Sequence, residues 1–136
     1  MFQNLLYNIK VIGLTTERSI LYERINKRVE KMMEEGLLDE INSLKEFYSN
    51  SRILNSGIGY KEFYDYLFRD KPLEEVLEEI KKDCRRYAKR QYTFFKHQFD
   101  TNWFSVDFKN FSNTIDEVLS FLKGLYFSFY FIVYNI

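Results

Sequence analysis

Apolar positions recur every three or four residues along most of this chain, a pattern that predicts α-helices. The longest periodic segment covers residues 73–99 and contains no Gly or Pro that would interrupt a helix. Shorter periodic segments predict further helices over residues 17–35, 37–48, 62–68 and 113–122. Residues 7–14 and 103–106 are short and rich in β-branched or aromatic side chains, so they predict one or two strands. We therefore expect a mainly α-helical chain with one or two short strands.

The segments outside these elements differ in character. Residues 49–55 are polar and predict a loop. In the last helix, the apolar spacing predicts that four side chains point inward: Ile115, Val118, Leu119 and Leu122. Residues 125–136 are uncharged, aromatic and β-prone, unlike everything before them. We therefore predict one domain over residues 1–124 and an apolar tail of unknown role over residues 125–136.

Residues 81–96, here called the basic stretch, carry the most unusual charge pattern in the chain. Seven of these sixteen residues are Lys or Arg, and Asp83 is the only acid among them. On a helix, one face of the stretch is apolar and the opposite face is cationic. A solvated basic surface is the ordinary explanation for such a face. Because no further acids are interspersed, the pattern also favours a phosphate-rich partner such as RNA.

Composition narrows the possible chemistry. The chain has 20 Lys and Arg against 20 Asp and Glu, so its net charge is zero and does not favour any particular class of partner. One cysteine, Cys84, and one histidine, His97, cannot build a cysteine–histidine metal cluster. Cys84 falls on the apolar helix face, which is typical of a small core residue. The first ten residues lack a secretory pattern, and no apolar run reaches the roughly 20 residues that cross a bilayer. We therefore expect a cytoplasmic protein without membrane contact.

Two short motifs are candidates for binding anions. Arg18 lies in the first turn of a predicted helix, where a cation opposes the helix dipole, and Arg24 follows it. A bound anion would offset that cost, but both side chains could instead lie over neighbouring surface. The second motif, here called the glycine loop, is Ser56, Gly57, Ile58, Gly59, Tyr60 and Lys61. Its two glycines permit close backbone approach, although from spacing alone an ordinary loop-to-helix junction is the better explanation.

Several segments come in the order found in one enzyme family. They are residues 18–25 (RSILYERI), Arg28 with Val29 and Met32, Gly36 with Leu37, residues 58–62 (IGYKE), residues 87–93 (YAKRQYT) and Trp103. Together they resemble the C-terminal part of bacterial tRNA dimethylallyltransferases, also called tRNA isopentenyltransferases, over about residues 7–122. The pattern Tyr-Ala-Lys-Arg-Gln-x-Thr is highly specific, whereas residues 58–62 alone would be weak evidence.

The resemblance implies an α/β fold similar to P-loop nucleotide kinases. It implies transfer of a dimethylallyl group from dimethylallyl diphosphate to the exocyclic amine of the adenosine 3′ of a tRNA anticodon, with Mg²⁺ helping to hold the diphosphate. Arg18 and Arg24 would face the diphosphate, and the glycine loop would contact the tRNA anticodon stem-loop. A second tRNA contact, here called the KRQ segment, would comprise Lys89, Arg90, Gln91, Tyr92, Thr93, Phe94, Phe95 and Lys96.

Parts of the family pattern have no counterpart in this chain. These are the phosphate loop, the catalytic aspartate of an Asp-Ser-x-Gln motif and a helical insertion domain. We therefore expect no catalytic residue and no metal ligand here, no activity of the chain alone, unpaired edges on the strand at residues 7–14, and a missing N-terminal half as a candidate partner. Two alternatives are a freestanding RNA-binding helical module and the non-functional product of a broken gene. A pure RNA-binding module has no reason to keep both Arg18 and Arg24.

Overall fold

The computed structural model describes residues 9–123 and 129–134, which are mostly helical. The helices in this part of the chain are α1 (Arg18–Glu34), α2 (Leu37–Ser43), α3 (Arg52–Ser56), α4 (Phe63–Arg69), α5 (Leu73–Gln98) and α6 (Phe111–Lys123), with a 3-10 turn at Lys45–Phe47. The strands are β1 (Ile9–Thr15), β2 (Thr101–Ser105) and β3 (Phe129–Tyr134). The prediction of a mainly helical α/β chain is confirmed.

The three strands form one parallel sheet in the order β2-β1-β3. Val11 aligns with Thr101 on one side of β1, and Ile9 aligns with Phe129 on the other. The prediction of unpaired edges on this strand is therefore wrong, because β1 is paired on both sides. β3 comes from the predicted apolar tail, whose residues 125–128, 135 and 136 lie outside the described residues, as do residues 7 and 8 of the predicted strand. The boundary at residue 124 stays a prediction.

The chain divides into two compact units, which we name by their content. The sheet unit combines Met1–Leu21 with Ala88–Ile136, and the helical unit is Tyr22–Tyr87. Buried apolar residues of β1 form part of the core of the sheet unit: Val11, Ile12 and Leu14. The core of the helical unit is one cluster: Val29, Leu37, Ile41, Phe63, Val76 and Ile80. Cys84 packs partly buried against that cluster, which confirms its prediction as a core residue.

The helix boundaries agree with the sequence where a single residue sets them. Gly36 has φ +100°, a left-handed conformation that ends α1 where the glycine predicts.

The predicted loop at residues 49–55 is wrong in its second half. There the Ser51 hydroxyl accepts a hydrogen bond from the Leu54 backbone N–H at 3.3 Å, so this residue caps the short helix α3.

The predicted inward face of α6 is wrong for two of its four residues. Ile115 and Leu119 are 45 % and 47 % exposed, whereas Val118 and Leu122 are half-buried. The buried position is instead Thr114, whose hydroxyl accepts a hydrogen bond from the Asp107 backbone N–H at 2.9 Å. A polar residue therefore occupies the buried position of α6, and a search for apolar periodicity does not detect it.

Candidate functional site

The glycine loop connects α3 to α4 and is closed by its own backbone. The N–H groups of Tyr60 and Lys61 both donate to the Gly57 carbonyl, at 3.1 and 3.0 Å. Gly59 has φ +91°, a left-handed backbone conformation that residues other than glycine rarely adopt. A Cβ added at this position would meet nothing within 4 Å, so the backbone angle, not a steric contact, favours glycine. The two glycines therefore build a tight, defined turn.

The buried carboxylate of Glu62 stabilises this turn through a hydrogen bond. Its side chain is only 4 % exposed, and its Oε2 accepts a hydrogen bond from the Gly59 N–H at 2.8 Å. Its Oε1 has no hydrogen-bond partner, although the Lys61 ammonium lies 3.7 Å away. Burial raises the pKa of Glu62, because removing a carboxylate from water disfavours its charged form. The carboxyl group therefore fixes the loop at an electrostatic cost.

Two tyrosines fix the other side of the glycine loop. The fully buried Tyr48 donates its hydroxyl hydrogen bond to the Tyr60 carbonyl at 2.9 Å. Tyr60 in turn donates its hydroxyl to Glu40 Oε1 at 2.8 Å. Burial raises the pKa of Tyr48 to about 12, so its phenol remains a hydrogen-bond donor at any physiological pH. The loop is thus held by backbone, carboxylate and phenol contacts within the helical unit.

Lys61, the last residue of the glycine loop, takes part in an ion-pair cluster. Its ammonium donates to Asp83 Oδ2 at 2.7 Å, and Arg86 Nη1 donates to the other oxygen, Asp83 Oδ1, at 3.3 Å. Lys61 holds the pKa of Asp83 below its ordinary value, mainly through this hydrogen bond. The cluster borders a surface depression of about 320 Å³, which Lys82 also lines. The depression lies entirely within the helical unit.

The KRQ segment belongs to the C-terminal part of α5, in the sheet unit. Its residues divide by exposure, as expected for a helix with one packed face. Tyr92 is half-buried against the Trp103 ring, with centroids 4.8 Å apart, whereas the Phe94 ring is 51 % exposed. Gln91 and Phe95 are also half-buried, and the exposed members are Lys89, Arg90, Thr93, Phe94 and Lys96. The exposed set offers three cations and one ring.

The basic stretch does not present all of its cations equally. Arg85 donates to Asn26 Oδ1 at 2.7 Å, and Lys81 bridges to Glu30 at 3.1 Å. These two side chains therefore pin α5 to α1 inside the helical unit. Lys89 and Arg90 are exposed, and neither forms an ion pair with any residue that the structure describes. The cations that remain available to a partner are concentrated toward the end of α5.

Arg18 and Arg24 both lie on α1, and both are exposed. Arg18 is the first residue of the helix, as its predicted place in the first turn requires, but the predicted helix start at residue 17 is one residue early, so Glu17 lies before the helix and the first turn has no acid. The two arginines are six positions apart, which separates them by about 9 Å along the helix axis and about 120° around it. The two side chains therefore do not share one face of the helix.

Comparison with known proteins identifies the chain. A model of the family described as IPP transferase matches residues 2–98. The chain belongs to the IPP transferase family. The matched residues include Arg18, Arg24, the glycine loop and the KRQ segment.

Named relatives of this IPP transferase chain agree with that assignment. It is 44 % identical over 118 residues to a tRNA dimethylallyltransferase of Halalkalibacterium halodurans, and 45 % identical over 125 residues to that of Bacillus licheniformis. A crystal structure of the full-length tRNA isopentenylpyrophosphate transferase of Bacillus halodurans shares 43 % identity over 90 % of this chain, with a TM-score of 0.78. The homologous Staphylococcus epidermidis structure shares 32 % identity over 83 % of the chain, with a TM-score of 0.74.

The chain matches only part of the length of these relatives. It spans 38 % of the Halalkalibacterium protein and 39 % of the Bacillus licheniformis protein, about two fifths of each. Within residues 9–123 and 129–134, no group of three or more His, Cys, Asp or Glu side chains could hold a metal ion. The described residues therefore do not by themselves fit the Mg²⁺ implied by the family. No helix among them is long and apolar enough to cross a membrane.

The structure adds three residues to the glycine loop that sequence reasoning did not assign to it. They are Tyr48, predicted only as the end of a helix; Glu62, predicted only as a motif member and the start of a helix; and Asp83, noted only as an exception in a basic stretch. A buried carboxylate is rare, so a Glu directly after a loop gives no signal of burial. The isolated acid at residue 83 was the one visible signal, and its meaning depends on Lys61, which is 22 positions away.

Proposed function

We propose that this chain supplies the tRNA-binding part of an enzyme that transfers a dimethylallyl group from dimethylallyl diphosphate to a tRNA adenosine. The acceptor would be the exocyclic amine of the adenosine 3′ of the anticodon. The observation that carries the proposal is the family match over residues 2–98, which spans both predicted tRNA-contacting segments. The Halalkalibacterium and Bacillus licheniformis relatives are both named tRNA dimethylallyltransferase, which supports the same reaction class.

The geometry of the two segments supports a division of labour in binding RNA. Lys89, Arg90 and Lys96 are exposed cations, which attract phosphates without reading sequence. The exposed Phe94 ring can stack on an unpaired base, which is how proteins commonly hold single-stranded loops. The glycine loop is a rigid backbone turn, so it can approach a stem-loop closely without an ordering cost.

Binding of the diphosphate is assigned to Arg18 and Arg24, which also lie within the family match over residues 2–98. Arg18 begins α1, where the helix offers backbone N–H groups and the positive end of its dipole. Guanidinium groups bind phosphate oxygens with two parallel hydrogen bonds, which suits a diphosphate. Bound Mg²⁺ would neutralise diphosphate charge in such an enzyme.

The RNA-binding part of the proposal is tested with the chain as it stands. Fluorescence anisotropy would follow binding of an unmodified anticodon stem-loop RNA over a salt series. Replacing Lys89 and Arg90 with Ala removes two phosphate contacts. The slope of log affinity against log salt should then flatten by about 1.4, because each phosphate contributes about 0.7 for a single strand. Binding should also weaken.

The matched control is the double variant Lys27→Ala and Lys31→Ala. These lysines are exposed on α1, where they pair with Glu23 and Glu35, and they lie outside both contact segments. The control changes the net charge equally, so it should alter neither the affinity nor the salt slope to the same degree. Equal losses from both double variants would mean that the RNA is held only by diffuse charge attraction.

The diphosphate part is tested separately by isothermal titration calorimetry with dimethylallyl diphosphate. The double variant Arg18→Ala and Arg24→Ala should lose the binding heat while RNA affinity stays unchanged. This pair of measurements also discriminates the freestanding RNA-binding module, which would bind RNA and show no heat with the diphosphate. RNA binding lost together with diphosphate binding would contradict the separate assignment of the two arginines.

A further inference from the structure

The surface depression beside the glycine loop has an unusual distribution of charge. Two of its acids, Asp65 and Glu79, are already paired with Arg69 and Lys71, at 3.0 and 2.7 Å. The remaining lining groups are the cations Lys61, Lys82 and Arg86 against the acids Asp83 and Glu62. Lys82 is exposed and has no ion-pair partner among the described residues. Two of the three cations, Lys61 and Arg86, therefore share one accessible acid, Asp83, because Glu62 is buried.

Asp83 uses both of its oxygens within this cluster. Oδ2 accepts from Lys61 at 2.7 Å and Oδ1 accepts from Arg86 at 3.3 Å. A carboxylate that bridges two cations in this way presents the same contacts as two oxygens of a phosphate. The Lys61 hydrogen bond lowers the pKa of Asp83 and the Asp83 hydrogen bond raises the pKa of Lys61, so both groups are charged at neutral pH.

We propose that Asp83 is an internal counterion that occupies, in the free protein, the place of an RNA phosphate between Lys61 and Arg86. RNA binding would exchange the two Asp83 contacts for contacts with a backbone phosphate. This inference rests on the proposed function, since Lys61 belongs to the glycine loop, and it adds Arg86 and Lys82 to the RNA-binding surface. Asp83 thereby limits affinity, because every binding event first breaks its two ion pairs.

The inference predicts a gain of affinity from a loss of charge. Asp83→Asn should tighten binding of the anticodon stem-loop RNA about three- to tenfold at low salt, because RNA no longer has to break two partly exposed ion pairs, each of which contributes modestly. Asp83→Ala should show the same gain, which guards against a special effect of the Asn amide. Far-UV circular dichroism of both variants checks that the helices are intact.

Two controls separate local exchange from general electrostatics. Asp39→Asn makes the same charge change at an exposed position of α2 that has no ion pair among the described residues, and it should leave RNA affinity nearly unchanged. The second control adds Asp83→Asn to a Lys61→Ala, Arg86→Ala background. The gain should vanish there, since no cation is left for the phosphate to reach at these two positions.

Each outcome decides the matter. Tighter binding by Asp83→Asn that disappears in the double-alanine background supports the exchange. Weaker binding by Asp83→Asn overturns it, because Asp83 would then hold Lys61 in its binding position. Equal gains from Asp83→Asn and Asp39→Asn also overturn it in favour of long-range charge. Unchanged affinity beside clear wild-type binding overturns this inference alone, whereas no binding by any variant overturns the proposed RNA-binding function and this inference with it.

Discussion

The left-handed turn at Gly59 allows a stability effect to be separated from a binding effect. Gly59→Ala places a Cβ in open space, so its cost is conformational. Holding an L-residue at φ +91° costs about 1–2 kcal/mol, and the smaller unfolded-state entropy of Ala returns about 0.4–1 kcal/mol. The difference is a net loss of about 0–1.6 kcal/mol, centred near 0.8 kcal/mol, which lowers the urea midpoint by about 0.4 M at an m-value near 2 kcal/mol/M.

Binding should respond more specifically than stability. If the loop relaxes to relieve the strain, regaining its bound shape costs about 1 kcal/mol, which weakens RNA binding about fivefold. Unfolding would be followed by far-UV circular dichroism, because the glycine loop belongs to the helical unit and the only tryptophan, Trp103, belongs to the sheet unit. RNA binding would be followed by fluorescence anisotropy below the unfolding transition.

Gly36→Ala is the matched control. Gly36 has φ +100° and also meets nothing within 4 Å of an added Cβ, but it lies between α1 and α2 and is not part of the glycine loop. It should cost a similar free energy of unfolding and leave RNA affinity unchanged. Gly59→Asn should recover part of the loss, since Asn tolerates the left-handed region. A gain in stability for Gly59→Ala, or equal RNA-binding losses at both positions, would refute the reasoning.

Three further variants test contacts described above. Glu62→Gln should remove a pH dependence of the stability. Because burial raises the pKa of Glu62, the carboxyl of the unfolded chain ionises first as the pH rises above 4.5, and wild-type stability falls until the folded carboxyl also ionises. Denaturation of both proteins from pH 4 upward should therefore show that the Gln variant becomes increasingly more stable relative to wild type. Tyr48→Phe should lower the free energy of unfolding by about 1 kcal/mol, because it removes the donor to the Tyr60 carbonyl. It should also lessen the loss of stability between about pH 10 and 12, where the phenol ionises in the unfolded chain before it ionises in the folded protein. Urea titrations at alkaline pH measure this second effect. Gly13→Ala should destabilise the sheet unit by about 1–3 kcal/mol, because its Cβ would overlap the Trp103 ring, and Trp103 fluorescence in urea would report it; an unchanged midpoint would contradict the close packing.

The sequence predicted the long elements well and the local polar contacts poorly. Helices α1 and α5 follow from apolar periodicity because each repeats its pattern over several turns. Helix α3 has five residues and depends on the single Ser51 cap, so no periodicity could reveal it. The roles of Tyr48 and Glu62 depend on hydrogen bonds to the backbone of the glycine loop, and such contacts leave no spacing pattern in the sequence.

The candidate residues were found in the same uneven way. Membership of the family was visible in the motifs, and the comparisons confirm it. The roles assigned to Arg18, Arg24, the glycine loop and the KRQ segment remain predictions. The periodicity does explain why Tyr92 is half-buried while Phe94 is exposed, since the two residues fall on different sides of α5. It could not show that Lys61 and Arg86 share one acid, because that pairing requires the tertiary fold.

The discontinuous sheet unit has a consequence for how the chain acquires its structure during synthesis. β1 pairs with β2 and β3. The pairing of Val11 with Thr101, and of Ile9 with Phe129, therefore cannot form until the ribosome has synthesised the later residue of each pair. The helical unit is one continuous stretch, Tyr22–Tyr87, whose contacts can form as soon as it leaves the ribosome. Pairing across long sequence separations is slow because loop closure comes first. We therefore expect the glycine loop to mature early in translation and the sheet to assemble last.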